Sequence, residues 1–420
     1  MGVKVNGVVD QPPETGVPYP SFKQMMHEVV QYGSCCECGT CVLVCPHNVI
    51  DYIDGKPKQV AKASAPFDLC GISEGIGCDV CAQVCPRLGI REFDMRDAVL
   101  PLETGVYDGL FGRYRRVVAA RCKDPEILAR CQDGGVVTAI LCHGLREGLF
   151  DGACVSAADE SLPAAPKPKV VTTVDEAISS ASSWYTYCPN DMALADAERM
   201  GLKRVCFVGV PCQVTPVRKI QLADPSFLDN GRKKEKHIER QTKFLKGFGE
   251  IVDFTIGLLC TEVFTYEGLM VQKIEREMGI PLADVKKFNV KGKVLIYRKD
   301  GEVVEMSLHK AQEYARPECH HCGDFSAELA DISCGGVACM DWTITVLRSA
   351  RGEALFDDMV RRGLLETRPM EEFENSMKVM LRLTRKQRDR VPVPPGRPVR
   401  AVRPAGYPAV PADPPAGSGI

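Results

Sequence analysis

The sequence predicts an α/β domain that follows a smaller, cysteine-rich α+β module. Nine cysteines fall within residues 1–100, in two groups separated by a short polar segment. From residue 115 to 345, apolar β-branched runs alternate with longer amphipathic segments, a pattern typical of strands that alternate with helices. The 420 residues suffice for two or three domains, each with its own core.

The composition is that of a folded protein with an unusual amount of cysteine. Apolar residues make up 45% and charged residues 26% of the chain, which excludes wholesale disorder. The formal net charge of −2 gives no support to nucleic-acid binding. Twenty-one cysteines favour either a secreted disulfide scaffold or an intracellular metalloprotein.

The first residues decide between these two classes. Residues 1–20 contain four prolines and no apolar core segment, so no signal peptide is expected. The longest apolar runs, such as Gly135–Leu141 and Ile256–Cys260, are far too short to span a membrane. We therefore expect a cytoplasmic protein, in which metal binding explains the cysteines better than disulfides do.

The two N-terminal cysteine groups have the spacing of a protein with two 4Fe–4S clusters. One group reads C-x2-C-x2-C-x3-C-P, and the other has a wider first gap, filled by GISEGIG, but the same ending. In such runs three thiolates bind one cluster and the fourth binds the other cluster. The first predicted cluster takes Cys35, Cys38, Cys41 and Cys85, and the second takes Cys70, Cys78, Cys81 and Cys45.

Two alternatives remain for these groups. Zinc or inert structural thiols would also use cysteine, although zinc sites usually show two C-x2-C pairs without the third cysteine and the proline. Cys36 is an additional cysteine that could replace Cys35, but the spacing favours Cys35.

Two features of the second half are typical of ligand sites in α/β proteins. Gly134 and Gly135 precede a run that starts a helix, where free N–H groups suit a phosphate, although a plain turn is the commoner meaning of such a pair. Val205–Val210 reads as a buried strand that ends at Pro211-Cys212-Gln213. Ligands of α/β sheets collect at such strand ends.

Four segments in this half resemble one family in sequence and in order. They are CQDGGVVTAI at 131–140, VGVPCQ at 208–213, IGLLCTEVFTYEGL at 256–269 and RPECHHCGDFSAELADISCGGV at 316–337. Together they are similar to the coenzyme F-420 hydrogenase/dehydrogenase beta-subunit family. That family includes input subunits of F-420H2 dehydrogenase, formate dehydrogenase beta subunits and the front half of F-420-dependent sulfite reductase.

The resemblance implies a division of the chain. A dicluster 4Fe–4S ferredoxin-like α+β domain is expected at 1–105, and an α/β FAD- and F-420-binding domain with a mixed sheet at 106–350. A C-terminal helical segment is expected at 351–388, and a flexible tail rich in proline and arginine at 389–420.

The resemblance also implies a third 4Fe–4S cluster in the second domain. Its expected ligands are Cys212, Cys260, Cys319 and Cys322. Several alternatives stay open. Cys212 and Cys260 would also suit a core as small buried hydrophobes, and zinc would suit Cys319 and Cys322 with their histidine neighbours. Cys334 or Cys339 could displace Cys212.

Contacts with FAD and coenzyme F-420 follow from the same resemblance. Because F-420 carries a phosphate and a glutamate tail, its site needs cations. The main candidates are Lys291 and Lys293, and the nearby candidates are Lys286, Lys287 and Arg298. Val210 departs from the threonine of many relatives, which puts one flavin hydrogen bond in doubt. The expected flavin contacts are Gly134, Gly135, Val136, Val137, Thr138, Gly209, Pro211, Gln213, Asp324, Phe325 and Ser333.

The function implied is that of an F-420-dependent oxidoreductase, the electron-input subunit of a larger complex. Hydride transfer between F-420 and FAD would be coupled to single-electron transfer through the clusters, with no catalytic side chain required. Expected partners are a hydrogenase, a formate dehydrogenase, or a heterodisulfide-reductase-type or quinone-linked complex, and any membrane association would run through them. The alternative is a ferredoxin-dependent reductase of a chlorophyllide-type tetrapyrrole, which the clustered lysines disfavour.

Overall fold

The computed structural model describes residues 21–60, 68–90 and 92–391. These residues contain fifteen strands, which we number in chain order. They are β1 (Ile50–Ile53), β2 (Lys56–Gln59), β3 (Tyr107–Gly109), β4 (Gly112–Tyr114), β5 (Arg116–Cys122), β6 (Gly152–Ala158), β7 (Pro166–Val171), β8 (Val205–Gly209), β9 (Val252–Leu258), β10 (Val285–Val290), β11 (Lys293–Arg298), β12 (Val303–Ser307), β13 (Ile332–Gly335), β14 (Thr343–Leu347) and β15 (Leu365–Arg368).

The same residues contain fifteen α-helices. They are α1 (Phe22–Met25), α2 (Thr40–Leu43), α3 (Gly71–Ile76), α4 (Val80–Val84), α5 (Glu92–Val99), α6 (Pro125–Arg130), α7 (Val136–Arg146), α8 (Val174–Ser179), α9 (Ala193–Arg199), α10 (Pro211–Gln221), α11 (Pro225–Leu228), α12 (Glu235–Ile251), α13 (Leu308–Gln312), α14 (Ala350–Arg361) and α15 (Glu374–Asp389). π-Helical turns cover Met26–Gln31 and Tyr266–Glu277, and 3₁₀ turns cover Asn190–Met192, Leu282–Asp284, Pro317–His321 and Met370–Phe373.

An eight-stranded mixed sheet forms the centre of the molecule, which confirms the predicted sheet type. The strand order is β15-β5-β14-β13-β9-β8-β6-β7. Strands β13, β9, β8 and β6 run parallel to one another, and the other neighbouring pairs in the sheet are antiparallel. The apolar runs predicted as strands at 117–120, 205–210 and 254–259 fall on β5, β8 and β9.

Helices cover both faces of this sheet because its central strands are apolar on both sides. On β8, Val205 and Phe207 face a core formed with α9, α10 and α12, whereas Cys206 and Val208 face a core formed with α7, α8 and α14. The first core also contains Val84 and Met95 from the N-terminal module. The cysteine-rich module is therefore packed directly against the α10–α12 face.

A separate three-stranded antiparallel sheet, β10-β11-β12, lies in the chain between β9 and β13. It has its own core, in which Phe288 and Ile296 pack against Leu269 and Ile274 of the π-helical turn. This lobe positions the lysines of β10 and the turn after it.

The segment expected to be helical at 351–388 contains α14 and α15 but also one strand, at Leu365–Arg368. These residues form β15, which pairs antiparallel with β5. Helix α14 stops because Gly363 has a positive φ of 71°, the left-handed conformation that ends helices. Leu365 then buries its side chain in the core beside α7 and α14. The tail predicted to be flexible lies, from residue 392, outside the described residues.

The charged segment 231–246, for which the sequence predicts a solvated helix, belongs mostly to α12. Only one face of α12 is solvated, because Ile238, Leu245 and Phe248 are buried in the core. None of the described helices is both long and apolar enough to cross a membrane.

A buried carboxylate ties the start of β13 to two helices. Asp331 accepts hydrogen bonds from Arg218 (3.0 Å), from Arg351 (2.7 and 2.8 Å) and from the backbone and hydroxyl of Thr255 (2.9 Å each). Burial alone would raise the pKa of Asp331, but the two guanidiniums outweigh burial and hold it at about 2.

Candidate functional site

The thiols predicted for the first cluster line one cavity. The cavity measures about 370 Å³, part of it open to solvent, and Cys35, Cys38, Cys41 and Cys85 all border it. Burial and then the thiols of Cys35 and Cys85 raise the pKa of Cys41 well above its usual range. Cys85 of the second sequence group thus lies with three cysteines of the first, as the spacing predicts.

Local structure explains how these thiols converge. Gly39 adopts a left-handed φ of 78° and starts α2, which carries Cys41. A Cβ at Gly39 would lie 2.5 Å from the Met192 sulfur of the α/β domain, and the left-handed φ itself favours glycine at this position. Pro86 then follows Cys85 at the cavity wall.

The thiols predicted for the second cluster also lie near one another. Burial raises the pKa of Cys81 well above its usual value, and the thiols of Cys78, Cys41, Cys45 and Cys70 raise it further. Two sulfurs accept hydrogen bonds: Cys78 from the Gln241 side chain at 3.3 Å and Cys45 from the Val49 N–H at 3.5 Å. Hydrogen bonds to sulfur are one of the means by which proteins set cluster potentials.

The third predicted set also comes together, around a separate cavity of about 370 Å³, which we call the third cavity after its set. Cys212 lies in the first turn of α10, Cys260 follows β9, and Cys319 and Cys322 flank the end of a 3₁₀ turn. Three distant parts of the chain therefore supply four thiols to one cavity.

The alternatives for this set are placed elsewhere. Cys334 is buried within β13, and the Cys339 thiol donates to the Trp342 carbonyl at 2.9 Å; neither lines the cavity. The His321 ring lies 5.2 Å from the Tyr32 ring and is also absent from the cavity lining. Among residues 21–60, 68–90 and 92–391, no three His, Cys, Asp or Glu side chains are arranged to hold a single metal ion.

A fifth thiol, that of Cys36, lines both the first and the third cavity. Sequence reasoning considered it only as a substitute for Cys35, because spacing along the chain cannot show a thiol that turns toward another domain. The five cysteines without a predicted partner are all buried, as expected for core residues: Cys122, Cys142, Cys154, Cys188 and Cys206.

Two buried arginines that the sequence analysis missed lie beside these thiols. Arg87 lines both cavities and donates to the carbonyls of Ser34 (3.2 Å) and His321 (2.8 Å). Arg316 pairs with Glu37 at 2.6 Å. Burial would lower the pKa of Arg87, but neighbouring thiols, Cys322 first among them, raise it well above its ordinary value. Cations at this position stabilise electron-rich sulfur.

The glycine turn before α7 meets the β10 lobe. Gly135 has φ 70°, and no side chain caps the N-terminus of α7. A Cβ at Gly134 would lie 2.4 Å from the Ala120 carbonyl oxygen, so the turn requires glycine. Lys291 reaches this turn and pairs with Asp133 at 2.5 Å. Lys293, in contrast, is exposed on β11 and pairs with Glu305 at 2.5 Å.

This region fits a polar, phosphate-bearing ligand. Gln132 donates to Asn289 at 2.7 Å and to the Tyr185 hydroxyl, yet its own Oε1 is buried without a hydrogen-bond partner. The indole N–H of Trp184, the residue before Tyr185, is buried and unpartnered too. Together with the uncapped N-terminus of α7, these orphaned atoms match the polar groups of a nucleotide.

Other predicted flavin residues make contacts within the protein. Gln213, which follows Gly209 and Pro211 along the chain, accepts a hydrogen bond from the Val210 N–H at 3.0 Å. Asp324 accepts from two backbone N–H groups at 2.9 Å each, and Phe325 is in a core. Ser333 accepts from Arg348 at 2.7 Å. Their contacts with a flavin stay predictions, as do those of Val136, Val137 and Thr138.

Comparison with known proteins decides the family. Residues 117–195 and 202–373 match the models of the N-terminal and C-terminal parts, respectively, of the coenzyme F-420 hydrogenase/dehydrogenase beta subunit. The chain is 35% identical over 283 residues to coenzyme F-420 hydrogenase subunit beta of Methanococcus voltae, across 67% of this chain and 93% of that protein. This chain belongs to the coenzyme F-420 hydrogenase/dehydrogenase beta-subunit family.

Other family members extend the likeness. The F-420-dependent sulfite reductase of Methanocaldococcus jannaschii is 31% identical over 371 residues, 88% of this chain and 52% of that protein. The chain after residue 116 is shorter than this match, so the match includes part of the cysteine-rich module. The structure of the F-420-reducing [NiFe] hydrogenase complex of Methanosarcina barkeri contains a chain 32% identical with a TM-score of 0.59, over 68% of this chain and 92% of that one.

Proposed function

We propose that this protein is an iron–sulfur flavoprotein that exchanges a hydride between coenzyme F-420 and FAD and passes single electrons through 4Fe–4S clusters to a partner protein. The observation that carries the proposal is the arrangement of thiols. The first and third predicted sets each line a cavity, the two cavities share Cys36 and Arg87, and the second set lies beside the first. Family membership supports F-420 as the substrate, because curated relatives are named for it.

The glycine turn and its surroundings would hold the FAD. Bound FAD supplies the chemistry that joins two-electron hydride transfer to one-electron transfer. The N–H groups at the start of α7 would bind its phosphates, and Gln132 and Trp184 offer the buried polar atoms that lack partners. Lys291 pairs with Asp133 in this structure, so its ammonium is held at the edge of the same turn.

Lysines from the β10 lobe would bind the anionic tail of F-420. Lys287 donates to the Cys131 carbonyl at 3.4 Å and lies 5.2 Å from the Tyr297 ring centre, so it faces the glycine turn together with Lys291. Two cations at one edge provide the charge that a phosphate and a carboxylate require. Lys293 lies on the exposed side of the lobe and is the weaker candidate.

The protein itself contributes burial and charge to the clusters. Three of the four first-cluster thiols are buried, and Cys35 is partly exposed. Arg87 and Arg316 bring positive charge to the wall between the first and third sites. Both effects change cluster potentials without any side chain acting as an acid, base or nucleophile.

Electrons would leave near the second cluster. Cys45 is only partly buried. Burial, and then the positive charges of Arg240 and His237 on α12, lower the pKa of His47, two residues after Cys45. The exposed side of α12 and the residue before it carry five basic side chains against three acidic ones. The basic residues are Lys234, Lys236, Arg240, Lys243 and Lys246. An acidic redox partner, such as a subunit of a hydrogenase or dehydrogenase complex, fits this surface.

The test is anaerobic turnover of reconstituted protein with reduced F-420 and a viologen dye. We expect bound FAD, iron and acid-labile sulfide, and oxidation of F-420 coupled to dye reduction. Cys322→Ala should lower iron content and dye reduction, whereas Cys154→Ala, a buried cysteine that lines neither cavity, should behave as wild type. Protein that holds FAD and clusters yet leaves F-420 unoxidised would refute the proposed substrate.

A further inference from the structure

The wall between the first and third cavities contains a thiol that neither predicted ligand set includes. Cys36 is 5% exposed and borders both cavities. Cys38, a member of the first set, lines the first cavity with it, and Cys212, a member of the third set, lines the third cavity with it. Cys36 thus lies between predicted ligand sulfurs on the two sides of the wall.

The backbone accounts for this position. Glu37, the next residue, has a left-handed φ of 65°, a conformation that non-glycine residues rarely adopt. The Cys35 carbonyl accepts from Lys56 at 3.3 Å, and the Cys36 carbonyl accepts from Arg316 at 3.5 Å. Glu37 is itself held by Arg316 at 2.6 Å. These contacts fix a turn that leaves Cys35 in the first cavity and turns the neighbouring thiol toward the third.

Cys36 is the fifth thiol at a cavity where a cubane cluster needs four ligands. The cavity therefore has one thiol more than a cluster there would bind, and Cys36 is the one that the first cavity shares. Cys212 starts α10 directly after β8, and Cys260 follows the neighbouring strand β9, so Cys212 is the better ligand.

We propose that Cys36 is a bridging thiol that binds no iron and connects a ligand sulfur of the first cluster, Cys38, with a ligand sulfur of the third cluster, Cys212. This bridging role rests on the proposed function and specifies the route by which electrons cross between the two modules. One electron leaves the third cluster, which is oxidised, and reaches the first cluster, which is reduced. No bond or proton is exchanged in this step. Cys36 is thus a positioning residue for electron transfer.

The experiment compares Cys36→Ala, Cys36→Ser and the control Cys206→Ala in anaerobic, reconstituted full-length protein. Iron, sulfide and FAD are measured first. Stopped-flow absorbance then gives the rate of flavin reduction by F-420H2, and freeze-quench EPR gives the rate at which the N-terminal clusters become reduced. A loss of structure would change several of these readouts together, whereas a bridging role affects only the last.

We expect Cys36→Ala to keep wild-type iron, sulfide and FAD and the wild-type rate of flavin reduction. Its N-terminal clusters should be reduced several-fold more slowly, because the sulfur that lies between the two sites is lost. Cys36→Ser, which keeps a donor of similar size, should lose less, and Cys206→Ala should match wild type.

Three results would overturn the bridging role. Loss of one cluster's iron in Cys36→Ala or Cys36→Ser would show that the thiol is a ligand. An unchanged rate of cluster reduction in Cys36→Ala would show that electrons cross elsewhere, and an equal loss in Cys206→Ala would show a general effect of removing a buried thiol. Wild-type protein that oxidises no F-420 but still transfers electrons between its clusters would instead reject the proposed function alone.

Discussion

Replacing Lys219 by methionine should loosen the attachment of the cysteine-rich module to the α/β domain. Lys219 lies in the last turn of α10 and is fully buried. Its ammonium donates to the carbonyls of Cys85 and Leu88, both at 2.6 Å. Cys85 is a predicted ligand of the first cluster, so this side chain holds the backbone of a cluster ligand from the neighbouring domain.

The expected loss follows from the two carbonyls. The Cys85 oxygen still accepts from the Leu88 N–H at 3.2 Å in the variant, so the larger loss falls on the Leu88 oxygen. A buried polar group left without a partner costs about 1–3 kcal/mol, and removal of a buried charge offsets part of this cost. Lys219→Met, which preserves the length of the side chain, should therefore reduce the free energy of local opening by about 2 kcal/mol.

Hydrogen exchange followed by mass spectrometry measures this opening directly, without requiring two-state unfolding of a large protein. Amides of residues 80–88 should exchange about 30-fold faster in Lys219→Met, the factor that about 2 kcal/mol represents. The control Lys203→Met removes an exposed lysine and should leave the segment unchanged. Exchange in residues 80–88 that is identical in wild type and Lys219→Met would refute the reasoning.

Three further predictions concern other parts of the molecule. Because folding lowers the pKa of Asp331 from 3.8 to about 2, its ionised form stabilises the fold above pH 4, and this stability is lost as the pH falls toward 2. Asp331→Asn should therefore lose at least about 2 kcal/mol in urea unfolding at pH 7, and less of this difference should remain near pH 2. Lys291→Ala should raise the Kd for F-420 or FAD about tenfold, because one charge-assisted bond is lost and Asp133 is left unpaired. Reversal of Lys236 and Arg240 to glutamate should slow electron transfer to an acidic partner at low salt and leave viologen reduction unchanged.

Matched variants show which results would count against these predictions. Lys310→Ala removes an exposed lysine of the same lobe, and binding that weakens equally in both lysine variants would not support a role for Lys291. Lys203→Glu with Arg199→Glu changes the net charge as much as the α12 double variant does. If electron transfer to the partner slows equally in both double variants, the cause is the overall charge of the protein and not the α12 surface. An Asp331→Asn difference independent of pH would reject the titration argument.

Much of the fold could be predicted because its signals are local. The strands at β5, β8 and β9 are short β-branched runs whose two faces are both apolar, and they form the central sheet as expected. The strand β15 could not be predicted, because Leu365 continues an apolar pattern that also suits a helix. It is the left-handed turn at Gly363 and the free edge of β5 that make it a strand.

In the candidate site, too, the sequence predicts only what local spacing determines. Cysteine spacing predicted which N-terminal thiols lie together, since the C-x2-C-x2-C-x3-C-P pattern reflects a local loop. The inclusion of Cys36 in the third cavity depends on how two domains pack, which no local pattern records. Lys291 and Lys293 are two residues apart, yet only Lys291 contacts the glycine turn, because the turn between β10 and β11 sends their side chains to different surroundings.

The distribution of the thiols along the chain has a consequence for maturation. All eight cysteines of the first two sets have left the ribosome once residue 85 has emerged, whereas the third set is complete only at Cys322 and depends on a β-strand edge. The thiols of the proposed N-terminal clusters are thus all available early in synthesis. Those of the proposed third cluster are complete only after β8 and β9 have been made.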